Sequence, residues 1–216
     1  MLVDHYPMLA LRLTTPRLEL RLPAPEELSA LADLAAEGIH PPDVMPFSEP
    51  WTDQAPAERA RSVVQHHWRH LGSSTPDDWA LNLSVFADGV VVGMQSVGAR
   101  NLRVRREVAT GSWLGQRFQG QGIGTEMRAA VLHLAFAGLG AEAAVSTAFA
   151  HNPASQVISR KLGYQPDGTD RYEVRGALAI LHRFRLTRES WERHRTVPVT
   201  IEGLAPCLPL LGAEAG

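Results

Sequence analysis

Apolar and polar positions alternate in two short strand-like pieces between Leu9 and Leu22, around the turn Thr15-Pro16, with Leu18, Leu20 and Leu22 on one face. After Pro23 and Pro25 the spacing becomes helical. Leu28, Leu31, Leu34 and Ala35 form one stripe that Gly38 ends. From His40 to Trp51 the prolines Pro41, Pro42, Pro46 and Pro50 forbid a regular helix, so this segment is predicted as an ordered loop. A second helix is predicted after Asp53, burying Val63, Val64, His67, Trp68 and Leu71. Trp79 to Phe86, Val90 to Val97 and Glu107 to Leu114 read as a meander whose first turn is Asp88-Gly89. A helix from Gly122 carries Ile123, Met127, Ala130, Val131 and Leu134 on one side and stops at Gly138 or Gly140. A strand from Ala144 to Ala150 follows, then a helix from Pro153 with Val157, Ile158 and Leu162 inward and Gly163 at its end, and a hairpin from Arg171 to Leu186 around Gly176. The order specifies a mixed α/β sheet.

With 216 residues, one domain over residues 1–196 is expected. The tail, residues 197–216, holds Val199, Ile201, Leu204, Leu208, Leu210 and Leu211, too many apolar groups to leave in water. It is expected to pack on its own domain, with a homo-oligomer interface as the alternative. A net charge of -2 and no run of five basic residues give no long-range attraction for nucleic acid or an anionic membrane. Cys207, the only cysteine, permits no internal disulfide and no cysteine-based zinc site. The acidic, proline-bearing start lacks a secretory pattern and no apolar run reaches 18 residues, so a soluble, cytoplasmic protein is expected. The histidines of His66-His67-Trp68-Arg69-His70 have no carboxylate among them; Trp68 is expected in the core with the histidines as its polar flank, and no metal site is expected.

The chemistry concentrates in Trp113-Leu114-Gly115-Gln116-Arg117-Phe118-Gln119-Gly120-Gln121-Gly122-Ile123-Gly124-Thr125, a strand entering a glycine-rich turn that opens a helix. Alternate glycines let backbone N–H groups approach a phosphate, and the helix start adds a favourable dipole. A tight turn capping a core helix has the same spacing. A dinucleotide fingerprint would require glycine where Met127 stands, and the Gly-Lys-Ser/Thr of a P-loop is absent.

The run Gln119-Gly120-Gln121-Gly122-Ile123-Gly124 resembles the coenzyme A motif of the GNAT superfamily of N-acyltransferases. Asn152-Pro153-Ala154-Ser155, Val157 and Lys161-Leu162-Gly163-Tyr164 resemble its second motif. Thr15-Pro16-Arg17-Leu18-Glu19-Leu20-Arg21 and Leu186-Thr187-Arg188-Glu189-Ser190-Trp191 are similar to the branch of ribosomal-protein N-terminal acetyltransferases. The resemblance implies a single-domain, strongly twisted, mixed seven-stranded sheet with about four helices, whose two central parallel strands splay apart to admit pantetheine. It also implies acetyl-CoA or another acyl-CoA, succinyl-CoA included, as co-substrate, without metal. By motif position, the N–H groups from Gln119 to Thr125 hold pyrophosphate. Trp113 and Leu114 line the coenzyme, with the Leu114 backbone at the thioester carbonyl. Asn152 and Ser155 meet pantetheine, and Arg160 or Lys161 a phosphate.

Direct transfer from thioester to amine needs a base, an oxyanion donor and an optional acid. The Leu114 N–H is the expected oxyanion donor. Relatives often place a tyrosine shortly after the position of Asn152; here Ser155 is the candidate, either donating to the sulfur or merely capping the following helix. The branch often carries a glutamate beside the strand glycine, but Ala109-Thr110-Gly111 has none, so Glu107, on the face of Ala109, is the substitute base. Glu49, Trp51 and Asp53 are candidate lining for the acceptor pocket, and His151 adjoins the coenzyme motif. The acceptor would be a protein N-terminus or a small-molecule amine. A non-catalytic module that senses acyl-CoA is the alternative.

Overall fold

The computed structural model describes residues 1–213. The short helix α1 (Leu2–His5) and a 3-10 turn precede β1 (Arg12–Thr14) and β2 (Leu18–Arg21). Helices α2 (Pro25–Glu37) and α3 (Pro56–Ser73) follow, then the meander β3 (Asp78–Ala87), β4 (Val90–Arg100) and, after the one-turn α4 (Leu102–Arg105), β5 (Glu107–Leu114). The chain continues through α5 (Ile123–His133), a π-helical turn, β6 (Ala143–Phe149), α6 (Pro153–Lys161), β7 (Gln165–Val174), β8 (Ala177–Thr187), α7 (Arg188–His194) and β9 (Thr200–Glu202). Proline opens α2, α3 and α6, where its missing N–H costs nothing.

Among the described residues nine strands form one mixed sheet in the order β7-β8-β6-β5-β4-β3-β2-β1-β9. The sheet is therefore larger than the seven strands expected. The tail supplies β9, whose Thr200 to Glu202 pair with Thr14 to Arg12 of β1. A three-residue strand has too little alternation to be read from sequence. Beyond it Cys207, Leu208 and Leu211 are buried, and Trp79 Nε1 donates to the Leu211 carbonyl at 2.9 Å. Residues 214–216 of the tail lie outside the described residues.

Two cores flank the sheet. Leu81, Leu83 and Val85 of β3 pack with Met127, Val131 and Leu134 of the α5 side, while Phe86 and Val91 join Leu28, Leu31 and Val63 of α2 and α3. Strand alternation turns Val85 and Phe86 to opposite cores, and the pairing skips a residue of β4 between them, from Val85↔Gly93 to Phe86↔Val91. Among the described residues no helix is long and apolar enough to cross a membrane.

The expectation for α3 is corrected at one turn. Trp68 is 63% exposed and His67 only 4%, because the buried stripe runs through Val63 and His67 and leaves the next position outside. Burial, with the neighbouring His66 and His70, pushes the His67 imidazole down to about 4. The folded pKa lies below the unfolded value, so the unfolded chain binds more protons between them. Stability is therefore full above about pH 6.5 and is lost as pH falls toward 4, by about 3 kcal/mol. Urea unfolding at pH 7 and pH 4.5 should show this loss, and His67→Leu should remove most of it.

Candidate active site

The parallel pair β5 and β6 is hydrogen-bonded only at its start, through Glu107↔Ala143, Val108↔Ala144 and Ala109↔Val145. Beyond Ala109 the strands part, while β6 stays paired with β8 as far as Phe149↔Leu181. On its other edge β5 is held by β4, and Gly115 N–H donates to the Val92 carbonyl at 3.0 Å. Antiparallel alternation then turns the N–H groups of Ser112 and Leu114 away from β4 and into the cleft. The Leu114 carbonyl is taken, accepting from Gln119 Nε2 at 3.0 Å. Trp113 lies otherwise: its ring packs into the α2 core, 6.1 Å from the Trp51 ring.

The glycine turn stands at the open end of this cleft. Gly120 and Gly122 adopt φ of 73° and 80°, which a side chain would strain. Among the described residues, the N–H groups of Gly120, Gln121, Gly122, Ile123 and Gly124 donate to no acceptor, and α5 adds its dipole behind them. A Cβ at Gly124 would lie 2.9 Å from Ile158 Cδ1, so glycine lets α5 approach α6 there.

One arginine from the β1–β2 turn holds the cradle, a contact spanning more than 100 residues that sequence periodicity does not reveal. Arg17 Nε and Nη2 contact Glu126 Oε2 at 2.6 and 2.5 Å, and Nη1 donates to the Gln121 carbonyl at 3.1 Å. Glu126 is buried in the first turn of α5 and also accepts from Thr15 Oγ1 at 2.7 Å. Arg17→Met would leave this carboxylate uncompensated behind a phosphate site. It should weaken coenzyme A binding about tenfold, and Glu126→Gln in the same background should restore most of the affinity. Titration of the two variants checks this double-mutant cycle.

Across the cleft, Asn152 Oδ1 accepts from Ser155 N–H at 3.2 Å, the N-cap of α6. This leaves the Asn152 amide nitrogen and the half-buried Ser155 hydroxyl for a ligand. Arg160 is exposed and donates to Gln156 Oε1 at 3.1 Å, whereas Lys161 lines a cavity of about 180 Å³ together with Thr125.

Glu107, Ala109, Gly111 and Trp113 share the α3-side face of β5. Here Glu107 is corrected as base. It lies at the closed end of the cleft, seven residues or about 23 Å along the strand from Leu114, so the two cannot act on one carbon. Its carboxylate is also occupied, accepting from Arg105 at 2.9 Å and from Arg185.

The proline-rich loop docks on the β7–β8 hairpin. Arg175 grips Asp53 and donates to the Pro42 carbonyl at 2.9 Å, and His151 Nε2 bonds the Met45 carbonyl at 2.7 Å. The Arg175 guanidinium holds the Asp53 carboxyl below its usual range. Asp53 is thus a strap and not a free pocket carboxylate, while Glu49 is exposed and forms no ion pair among the described residues.

A cavity of about 530 Å³ opens on the α3 side. Its floor is a row of small residues in register, Ala80, Gly98 and Ala109, which ends at Val145 where the cleft begins. His70 forms part of its wall. His70 Nδ1 lies 2.8 Å from the His66 carbonyl, which can only accept, so the ring proton of the neutral form sits on Nδ1 and the Nε2 lone pair is free. Among the described residues no group of three or more His, Cys, Asp or Glu side chains could hold a metal.

Comparison with known proteins bears on the family and the fold. Residues 17–165 match the family described as "Acetyltransferase (GNAT) domain". RimL, a ribosomal L7/L12 alpha-N-protein acetyltransferase solved with coenzyme A, superposes with a TM-score of 0.63 at 20% identity, covering 80% of this chain and 95% of that one. Mycobacterium smegmatis RimJ, solved with CoA-disulfide, gives 0.64 at 18% identity over 87% and 94% of the two chains. A GNAT-family acetyltransferase from Bacillus anthracis gives 0.64 at 14% identity over 82% and 99%.

Proposed function

The chain belongs to the GNAT acetyltransferase family, and from that premise we propose that it moves an acetyl group from acetyl-CoA directly to the α-amine of a protein N-terminus. The observation that carries this reading is the run of five unengaged N–H groups, Gly120 to Gly124, at the mouth of a cleft whose wall offers the N–H groups of Ser112 and Leu114. Pyrophosphate on the cradle directs pantetheine between β5 and β6. A thioester carbonyl there meets Leu114 or Ser112 as a preorganised donor. Ser155 donates to the departing sulfur, a light duty because a thiolate is a tolerable leaving group near neutral pH.

The acceptor amine approaches where the strands part beyond Ala109, and its proton leaves to water, because His70 lines a cavity shared with Glu107 and lies as far back along β5 as that carboxylate. An α-amine suits this site better than a lysine. Its pKa of about 8, against about 10.4 for lysine, leaves it partly neutral at physiological pH, so no strong base is required. RimL, an alpha-N-protein acetyltransferase by its description, has the same fold and lends support to an N-terminal acceptor. The reducing cytoplasm is the compartment proposed, consistent with a chain whose single cysteine is buried.

Peptides with free or blocked N-termini, each carrying an internal lysine, should be incubated with acetyl-CoA or succinyl-CoA and analysed by mass spectrometry. Acetylation of free N-termini alone is expected. Modification of lysine only would replace the acceptor, and faster transfer from succinyl-CoA would replace the donor. Binding without transfer to any amine would favour an acyl-CoA-sensing module, the reading left open by the missing carboxylate at Ala109.

A further inference from the structure

Arg128 lies in the second turn of α5 and is 4% exposed, yet among the described residues no carboxylate forms an ion pair with it. Its neighbours are neutral. Nη1 donates to Ser159 Oγ at 3.1 Å, Nη2 reaches Ser112 Oγ at 3.5 Å, and Nε is buried without an acceptor. The phenol of Tyr164, kept neutral by burial, is also near. Glu126, two residues away on the same helix, is committed to Arg17 and Thr15. A buried cation without a counter-ion disfavours folding, so its retention calls for an anion that arrives later.

The position of Arg128 identifies that anion. Ser112 belongs to β5, one wall of the cleft, and Ser159 to α6 on the other side, where Ser159 Oγ also donates to the Ser155 carbonyl at 3.1 Å. During transfer the amine lone pair forms the C–N bond and charge moves to the carbonyl oxygen. Collapse then breaks the C–S bond, its electron pair leaves on sulfur, and the ammonium proton passes to the base. Negative charge thus develops first on oxygen and then on sulfur, both within this cleft.

Resting on the acetyl-CoA reading above, we propose that Arg128 is the fixed positive charge against which the oxyanion and the coenzyme A thiolate develop, a positioning residue that acts across Ser112 and Ser159. Removing a scaffold arginine should destabilise the fold. Removing one whose charge is uncompensated until reaction should not.

Arg128→Met, Arg128→Lys and the unsubstituted protein should be compared in urea midpoint, coenzyme A affinity, kcat, and the pKa of the bound coenzyme A thiol followed by thiolate absorbance. For Arg128→Met we expect an undiminished midpoint, unchanged affinity, kcat lowered about 100-fold and a raised thiol pKa. Arg128→Lys, which keeps the charge, should hold the thiol pKa near that of the unsubstituted protein. Unchanged kcat would overturn the proposal, as would a fall in kcat that tracks a lowered midpoint while the thiol pKa stays put. If Arg128→Met does not fold while Arg128→Lys leaves kcat intact and the thiol pKa unlike that of the unsubstituted protein, Arg128 belongs to the scaffold. Failure of the unsubstituted protein to bind coenzyme A is a separate result: it removes the function reading first and this inference with it.

Discussion

Gly122→Asp should abolish measurable acetyl-CoA binding at concentrations that saturate the unsubstituted protein, with the fold retained. Gly122 has φ of 80°, a conformation aspartate tolerates at modest cost. Its Cβ would stand 3.4 Å from Arg17 Nη2, so the new carboxylate would compete with Glu126 for one guanidinium. Whichever acid wins, one uncompensated negative charge remains at the start of α5. At about 5 Å from a phosphate and an effective dielectric constant near 20, that repulsion is about 3 kcal/mol, or at least about 100-fold in affinity. Thermal unfolding of the free variant should move by only a few degrees, because the turn is exposed. A Kd within threefold of the unsubstituted value would remove the cradle from the account.

Leu114→Pro should lower kcat by about 100-fold or more while coenzyme A affinity is little changed, because it removes the cleft-facing N–H without breaking a bond to β4. Glu107→Gln, by contrast, removes a carboxylate held by two arginines at the closed end of the cleft, so its effect should be on stability more than on turnover. An unchanged kcat in Leu114→Pro would transfer the oxyanion role to the Ser112 N–H or another donor.

The cradle was legible in the sequence because its information is local: glycines at alternate positions, a strand before them and an apolar stripe after. Strand alternation likewise put Glu107 on the face of Ala109. It could not tell which end of the pair stays closed, since that depends on where β5 parts from β6, nor that Arg185, 78 residues away, would occupy the carboxylate. Arg128 illustrates the same limit. Nothing in the apolar spacing of α5 marks it, and the packing of α6 over α5 helps to bury it. Trp68 was misread because a broad apolar stripe and a narrow one differ by a single position on α3.

The acetyl-CoA cleft is tested most directly by calorimetric titration of the protein with acetyl-CoA, succinyl-CoA, free coenzyme A and NAD in one buffer. Saturable binding of acetyl-CoA at one site per chain, with no heat from NAD, is the predicted result. Absence of binding to every coenzyme A species would contradict the account, since the free N–H groups of the Gly120–Gly124 turn would then have no ligand to explain them.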